Sequence, residues 1–371
     1  MIGVLFGTIV LLLVVTGILF VSFSPEFGGK ATEEKLEEYS KSQNHNNGQF
    51  VNKEKVELSF TFGQYVENIL KFFSTQPNTV PENLLPVNKL NPKELEYYSN
   101  KAPRVIWFGH SAILLQISNK NILIDPMFGD VPAPHPWLGK SRFSNGLPIE
   151  IENLPKIDAV LLSHDHYDHL DYQSILKLKD KVEMFYLPIG LGNHLLEWGV
   201  EEERIVELDW WSETMHGDLK FACTPAQHFS GRGISDRNST LWSSWVLKSD
   251  SSSIYFSGDS GYNTHFKEIG DKYGPFDFAM MECGQYNEQW KQIHMMPEET
   301  VKAGLDLRAE LVMPIHWGAF KLAFHTWTDP VERLESESRL LGLPITTPII
   351  GVPIILSKPP IAPDDNWWET I

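Results

Sequence analysis

Residues 157–169 read IDAVLLSHDHYDH, an apolar strand-like run that breaks into His164, Asp165, His166, Asp168 and His169. Three imidazoles and two carboxylates this close together are costly to bury unless something compensates them. A divalent cation does so, because imidazole nitrogen and carboxylate oxygen are ordinary ligands of zinc and its neighbours. In an extended segment alternate side chains share a face, so His164, His166 and Asp168 converge while His169 points elsewhere. A solvated polar loop accounts for one histidine but not for this cluster.

One loop cannot complete two metal sites, so the remaining ligands must come from other strand ends. His228 follows FACTPAQ, Asp259 follows SIYFSG and His316 follows ELVMPI. Singly, each reads as a cap or a hydrogen-bonded turn residue. In this order, each after an apolar strand, they carry information together. RVIWFG, AILLQIS, NILID, LWSSWVLK and FDFAMM are further strand-like runs, and the Asn-Lys before NILID suggests a hairpin turn. Helical patterns lie between them, notably PEETVKAGLDL from Pro297, with acids in its first turn. The alternation describes an α/β layered fold whose chemistry gathers where strands end.

With 371 residues, of which 42% are hydrophobic and 21% charged, the composition is that of a packed globular protein. A net charge of −17 argues against a surface built for a nucleic-acid backbone, so no nucleic-acid partner is expected. Bound cations still permit an anionic substrate. Cys223 and Cys283 are the only cysteines, so no disulfide framework holds the fold, and both read as buried thiols.

The amino-terminal end differs from the rest. Residues 1–23 carry no charged side chain. At about 1.5 Å per residue, the run VLFGTIVLLLVVTGILFVSF spans a hydrocarbon core of roughly 30 Å. A signal peptide would show a basic start and a small-residue cleavage site, and neither is present. Residues 1–23 are therefore expected to form a single-pass transmembrane anchor. Lys30, Lys35 and Lys41 are interleaved with acids, which leaves the side of the membrane open. The polar stretches GKATEEKLEEYSK and SQNHNNGQ mark residues 24–49 as a tether. Residues 50–100 are expected to be an extension packed on the main domain, in which Tyr65, Val66, Ile69, Leu70, Phe72 and Phe73 recur at helical spacing. That helix either packs on the domain or lies on the membrane. Residues 101–371 make the main domain, expected to carry the metal chemistry, and a chain beginning near residue 50 is expected to be soluble and to keep that chemistry. A homodimer stands as an open alternative to a monomer.

HxHxDH followed by a single His, a single Asp and a final His resembles the metallo-β-lactamase superfamily. The resemblance implies a four-layer αβ/βα sandwich with a two-metal site at one edge of the sheets. Carried over by position, one metal takes His164, His166 and His228, the second takes Asp168, His169 and His316, and Asp259 bridges both. Asp125, in NILIDP, matches an acid that orients a ligand from behind. WFGHSAILLQI, LIDPMF, GKSRF at 139–143, PAQHFSGRG, SGDSGY, HMMPEE and PIHWGAF resemble one branch, the N-acyl-phosphatidylethanolamine-hydrolysing phospholipase D family. The likeness runs from about residue 50 to the carboxyl end. The transmembrane segment departs from that family, whose namesakes associate peripherally.

That branch implies two divalent ions, expected to be zinc, and a phospholipid or other phosphodiester substrate cleaved to phosphatidic acid and an N-acylethanolamine. Asp168 and Asp259 would serve catalysis through the metals. His294, in QIHMMPEE, would contact the phosphate or assist the leaving group, unless it only caps the following helix. His110, in the GHS turn, is a candidate pocket residue. A lactonase or nucleotide phosphodiesterase on the same metal core, and a silent membrane-tethered binding protein, are the rival readings. Trp137, Trp290, Trp317 and Trp327 lie near the motifs, but most tryptophans simply bury area, so none is assigned to acyl binding.

Overall fold

A computed structural model describes all residues except 1, 58–60, 75, 97, 99–101 and 364–365, and the side chains of 2–4, 13, 72 and 73 also lie outside the described set. The chain opens with α1 (Ile2–Phe23), α2 (Glu33–Tyr39), the short hairpin β1 (His45–Asn46) and β2 (Gln49–Phe50), α3 (Phe62–Phe73) and α4 (Pro92–Glu96). There follow β3 (Arg104–Trp107), β4 (Ile113–Ile117), β5 (Lys120–Ile124), β6 (Ile157–Leu161), α5 (Tyr172–Leu178), β7 (Val182–Pro188), α6 (Gly192–Glu197) and β8 (Ile205–Leu208). The second half contains β9 (Glu213–His216), β10 (Leu219–Thr224), β11 (Ser244–Lys248), β12 (Ser253–Phe256), α7 (His265–Tyr273) and β13 (Phe278–Glu282). It closes with α8 (Pro297–Asp306), β14 (Val312–Ile315), α9 (Asp329–Leu341) and β15 (Ile354–Ile355).

The strands form two large sheets, a seven-stranded one ordered β15-β3-β4-β5-β6-β7-β8 and a six-stranded one ordered β14-β13-β12-β11-β10-β9. Side-chain alternation explains how they stack. Ile113, Leu115 and Ile117 of β4 share one core cluster with Phe221 and Cys223 of β10 and Met313 and Ile315 of β14, which joins the sheets face to face. Leu114 points the other way, into a cluster with Val160, Phe185 and residues of α5 and α6. On the far side Ala222, Val246 and Tyr255 meet Phe266 and Ile269 of α7, Val301 of α8 and Leu334 of α9. The result is the expected four-layer sandwich with helices outside both sheets. The β4–β5 hairpin turns through Ser118 and Asn119, whose φ values of 50° and 58° suit a tight two-residue loop.

Within α1, Leu5–Phe23 is 19 residues long with a mean hydropathy of 2.6, long and apolar enough to cross a membrane. Its end is fastened to the domain. Ser24 Oγ lies 2.8 Å from His135 Nε2, Phe20 packs on His135 and Trp137, and Arg232 donates to the Glu26 carbonyl.

The tether expected over residues 24–49 is instead a docked segment. Tyr39 is buried and joins the inter-sheet core together with Phe50. Ser42 Oγ and Asn44 Nδ2 both donate to the Asp209 carboxylate, at 2.6 and 2.7 Å. The polar composition that suggested solvation is satisfied by the protein itself. α3 starts with a capping box between Thr61 and Gln64. Among its described residues, Asn68 Nδ2 donates to Gln289 Oε1 of the domain at 2.8 Å and Lys71 lies 6.0 Å from the Phe324 ring. Phe62, Tyr65, Val66, Ile69 and Leu70 face outward.

Candidate metal centre

Each clustered side chain is delivered by the carboxyl end of a strand or the loop just after it. β5 leads to Asp125, β6 to residues 164–169, β10 to His228, β12 to Asp259, β13 to Glu282 and β14 to His316. Such ends are where sheets of parallel strands leave a crevice. Asp125 and His316 have φ values of 41° and 66°, as does His110 at 55°. Non-glycine residues seldom adopt this region, and here it is held at three residues of the site. Gly258 brings Asp259 close to the β6 loop: its φ is +56°, and a Cβ there would lie 2.6 Å from the Ser243 carbonyl oxygen and 2.9 Å from Ser163 Cβ.

Two groups of donors face one another. In the first, His166 Nδ1 lies 2.9 Å from His164 Nε2 and 3.2 Å from His228 Nε2. Asp259 Oδ2 completes it at 3.7 Å from His164 and 3.8 Å from His228. In the second, Asp168 Oδ2 is 3.4 Å from His169 Nε2 and 3.1 Å from His316 Nε2. Asp259 reaches this group too, with Oδ1 3.2 Å from His169 and Oδ2 3.0 Å from His316. Donors placed ~2.1 Å from a tetrahedral zinc stand about 3.4 Å from each other, so these spacings suit a divalent cation in each group. His169 Nε2 and Asp259 Oδ1 are buried without a hydrogen-bond partner. A cation satisfies both.

Charge leads to the same fit. Burial drives the pKa of His164 and of His228 well below the ordinary imidazole range, which keeps their lone pairs available. Burial also opposes charge on His169 and His316, yet Asp259 and Asp168 outweigh it, holding His169 well above its usual value and His316 at about 10. The pair of carboxylates therefore demands positive charge, and protons compete with metal for these nitrogens.

A layer behind the donors fixes them. Asp125 accepts from Ser163 N–H at 2.7 Å and lies 2.7 Å from His169 Nδ1, so it sets that ring's direction. His228 Nδ1 is 3.0 Å from the Ile293 carbonyl oxygen. His110 is not on the cavity wall as its turn suggested. It is buried behind Asp168, with Nε2 2.8 Å from Asp168 Oδ2, within the second group of donors.

The donors open into a cavity of about 380 Å³ whose wall includes His166, Asp168, Asp259, His294, His316, Phe229, Arg237, Trp290 and Leu322. A larger cavity of about 420 Å³ near the end of α1 contains none of the clustered imidazoles, so the chemistry assigns the site to the smaller one. His294 lies on that wall with Nδ1 3.0 Å from Glu282 Oε1. It does not cap α8, where Glu299 accepts from Met296 N–H instead. Of the four tryptophans near the motifs only Trp290 lines the cavity, while Trp317 stacks on Trp107 in the core. Glu282 was missed as a functional residue, although it ends an apolar strand as Asp125 and Asp259 do; Asn52, which clasps the His228 backbone, gives no signal in the sequence.

A family described as Beta-lactamase superfamily domain matches residues 120–317. An uncharacterized protein of Mycobacterium tuberculosis is 38% identical over 316 residues, covering 84% of this chain and 83% of that protein. The N-acyl-phosphatidylethanolamine-hydrolyzing phospholipase D 1 of Caenorhabditis elegans is 32% identical over 256 residues, covering 66% of this chain and 71% of that enzyme. Among solved structures, an isothiocyanate hydrolase from Delia radicum gut bacteria shares the fold with a TM-score of 0.52 at 22% identity, over 67% of this chain and 98% of that one.

Proposed function

The chain belongs to the metallo-β-lactamase superfamily and is a metal-dependent hydrolase, and from that premise we propose a membrane-anchored phosphodiesterase of phospholipase D type. It cleaves N-acyl-phosphatidylethanolamine-like lipids to phosphatidic acid and an N-acylethanolamine. The observation that carries this reading is the similarity to the nematode phospholipase D over 71% of that enzyme's length. The donor groups and the cavity beside them support it, and so does α1.

His164, His166 and His228 would hold one divalent ion, expected to be zinc, and Asp168, His169 and His316 the other, with Asp259 shared between them. When bound, such ions supply Lewis acidity toward phosphoryl oxygens and a water acidic enough to attack near neutral pH. The rest falls to the chain. Asp125 holds His169 in one orientation, and His110 does the same for Asp168. Trp290, Ile293 and Leu322 give the cavity an apolar side next to the donor groups. With Nδ1 occupied by Glu282, His294 has Nε2 left to pass a proton to the departing alcohol as its bond to phosphorus breaks. α3 meets Gln289 and Phe324 through Asn68 and Lys71, Phe324 in turn packs on Trp290 of the cavity wall, and the apolar residues of α3 stay exposed where a lipid can approach.

The test is product analysis. Zinc-loaded full-length protein is incubated with mixed phospholipid vesicles, a neutral lactone and a bis-aryl phosphodiester. Phosphatidic acid and N-acylethanolamine in equal amounts are expected. Opening of the lactone without cleavage of any diester overturns the reading in favour of a lactonase.

A further inference from the structure

Among the described residues lining the site cavity, Arg237 is the only lysine or arginine, and it shares that wall with Asp168 and Asp259. Its guanidinium lies 4.4 Å from the centroid of the Phe229 ring. That ring packs in turn on His166 and His228, with centroids 4.5 and 4.8 Å away. The cation thus lies one aromatic layer from the donor nitrogens, over a ring face that attracts it.

Among the described residues no carboxylate pairs with it. Partial burial lowers the pKa of its guanidinium from the ordinary value. The adjacent Asp236 is occupied elsewhere, accepting from the N–H groups of Arg232 and Gly233. The backbone beneath it is fixed: Gln49 Nε2 donates to the Arg237 carbonyl at 2.9 Å and Phe50 N–H to the Asn238 carbonyl at 2.8 Å. Gly231 has a φ of +135°, and a Cβ there would sit 3.2 Å from Arg237 Cα, so the loop closes tightly under the side chain.

An arginine braced at a cavity mouth, in a chain of net charge −17, without a carboxylate partner, is suited to receive a negative charge from outside. We propose that Arg237 is the anion anchor of the substrate, its planar guanidinium donating to a phosphodiester oxygen and selecting anionic over neutral substrates. This rests on the phosphodiester reading above. Arginine suits the task because its fork can donate two parallel N–H bonds, which lysine cannot match.

The experiment uses zinc-loaded full-length protein and its Arg237→Ala and Arg237→Lys variants. Binding of a dialkyl phosphinate, a non-hydrolysable anionic mimic, is measured by calorimetry, beside steady-state kinetics on a bis-aryl phosphodiester and a neutral lactone. Arg237→Ala is expected to weaken phosphinate binding and raise the diester KM by roughly tenfold to a hundredfold, with a much smaller fall in kcat. Arg237→Lys should recover part of the loss, and the effect on the lactone should stay within about threefold. Unchanged phosphinate affinity in Arg237→Ala overturns the anchor alone. Equal losses on phosphinate and lactone overturn it as well, in favour of a packing role over Phe229. If the wild-type protein binds no phosphinate yet opens lactones, the phosphodiester reading falls and the anchor falls with it.

Discussion

The side-chain amide of Asn52 clasps the backbone of His228: its Nδ2 donates to the His228 carbonyl at 2.7 Å, and its Oδ1 accepts from the His228 N–H at 3.0 Å. The same Oδ1 also accepts from Trp242 Nε1 at 3.0 Å. A residue far from the hydrolase domain in sequence thereby sets the position of a candidate metal ligand. Outer groups that fix ligands typically cost about 10–100-fold in metal affinity or activity when removed. Asn52→Ala is expected to weaken zinc binding by about that factor, measured by competition with a chelator. Asn52→Asp keeps the acceptor and loses the donor, so it should fall between. An alanine variant with wild-type zinc affinity would remove the clasp from the argument.

The docked amino-terminal segment makes a different prediction from the one its composition suggested. A chain beginning at residue 24 should be soluble and active, because it keeps Tyr39 in the core and Ser42 and Asn44 on Asp209. One beginning at residue 50 loses a buried aromatic worth on the order of 3–5 kcal/mol. Its melting temperature should drop by roughly 5 °C or more. Thermal unfolding of the two proteins, with their activities, checks this.

The clustered histidines and aspartates stood out in the sequence because each follows an apolar strand, a pattern that survives locally, while their allotment to two metals came from the family resemblance alone. The layered α/β arrangement was legible from the apolar strand runs, and the four-layer sandwich, implied by the resemblance, rests on strands such as β4 and β10 that alternate between two buried faces. What local pattern cannot carry is partnership across the chain. SQNHNNGQ looks solvated until Asp209 is beside it, and Arg237 looks like any loop arginine until Phe229 and the cavity are in place. His110 reads in the sequence as a candidate pocket residue because its turn adjoins a motif; that its ring lies behind Asp168 is visible only in the fold.

Metal removal tests the centre directly. Purified protein is expected to hold about two zinc ions per chain, and chelation should abolish hydrolysis. Asp259 touches both donor groups, so Asp259→Asn should lower activity by orders of magnitude while the circular dichroism spectrum stays that of the wild type. Only trace metal, with hydrolysis insensitive to chelator, ends the reading.

The last prediction concerns Glu282 and His294. Glu282 is buried at the end of β13, and burial raises its pKa above the ordinary carboxylate range against the pull of His294 and His316. Its Oε2 accepts from Met295 N–H at 2.9 Å, while Oε1 lies 3.0 Å from His294 Nδ1 and 3.7 Å from His316 Nδ1. Two routes to activity are therefore open to it: through the orientation of His294, or through the candidate ligand His316. The shorter contact favours His294. His294→Ala should lower turnover by at least about tenfold with metal content and melting temperature nearly unchanged. Glu282→Gln, which preserves volume, should lower turnover comparably. If Glu282 works by aiming His294, the double variant should be no slower than His294→Ala within about twofold, since the second change removes an orientation that no longer matters. Multiplying losses, accompanied by a drop in bound zinc, would instead assign Glu282 to His316.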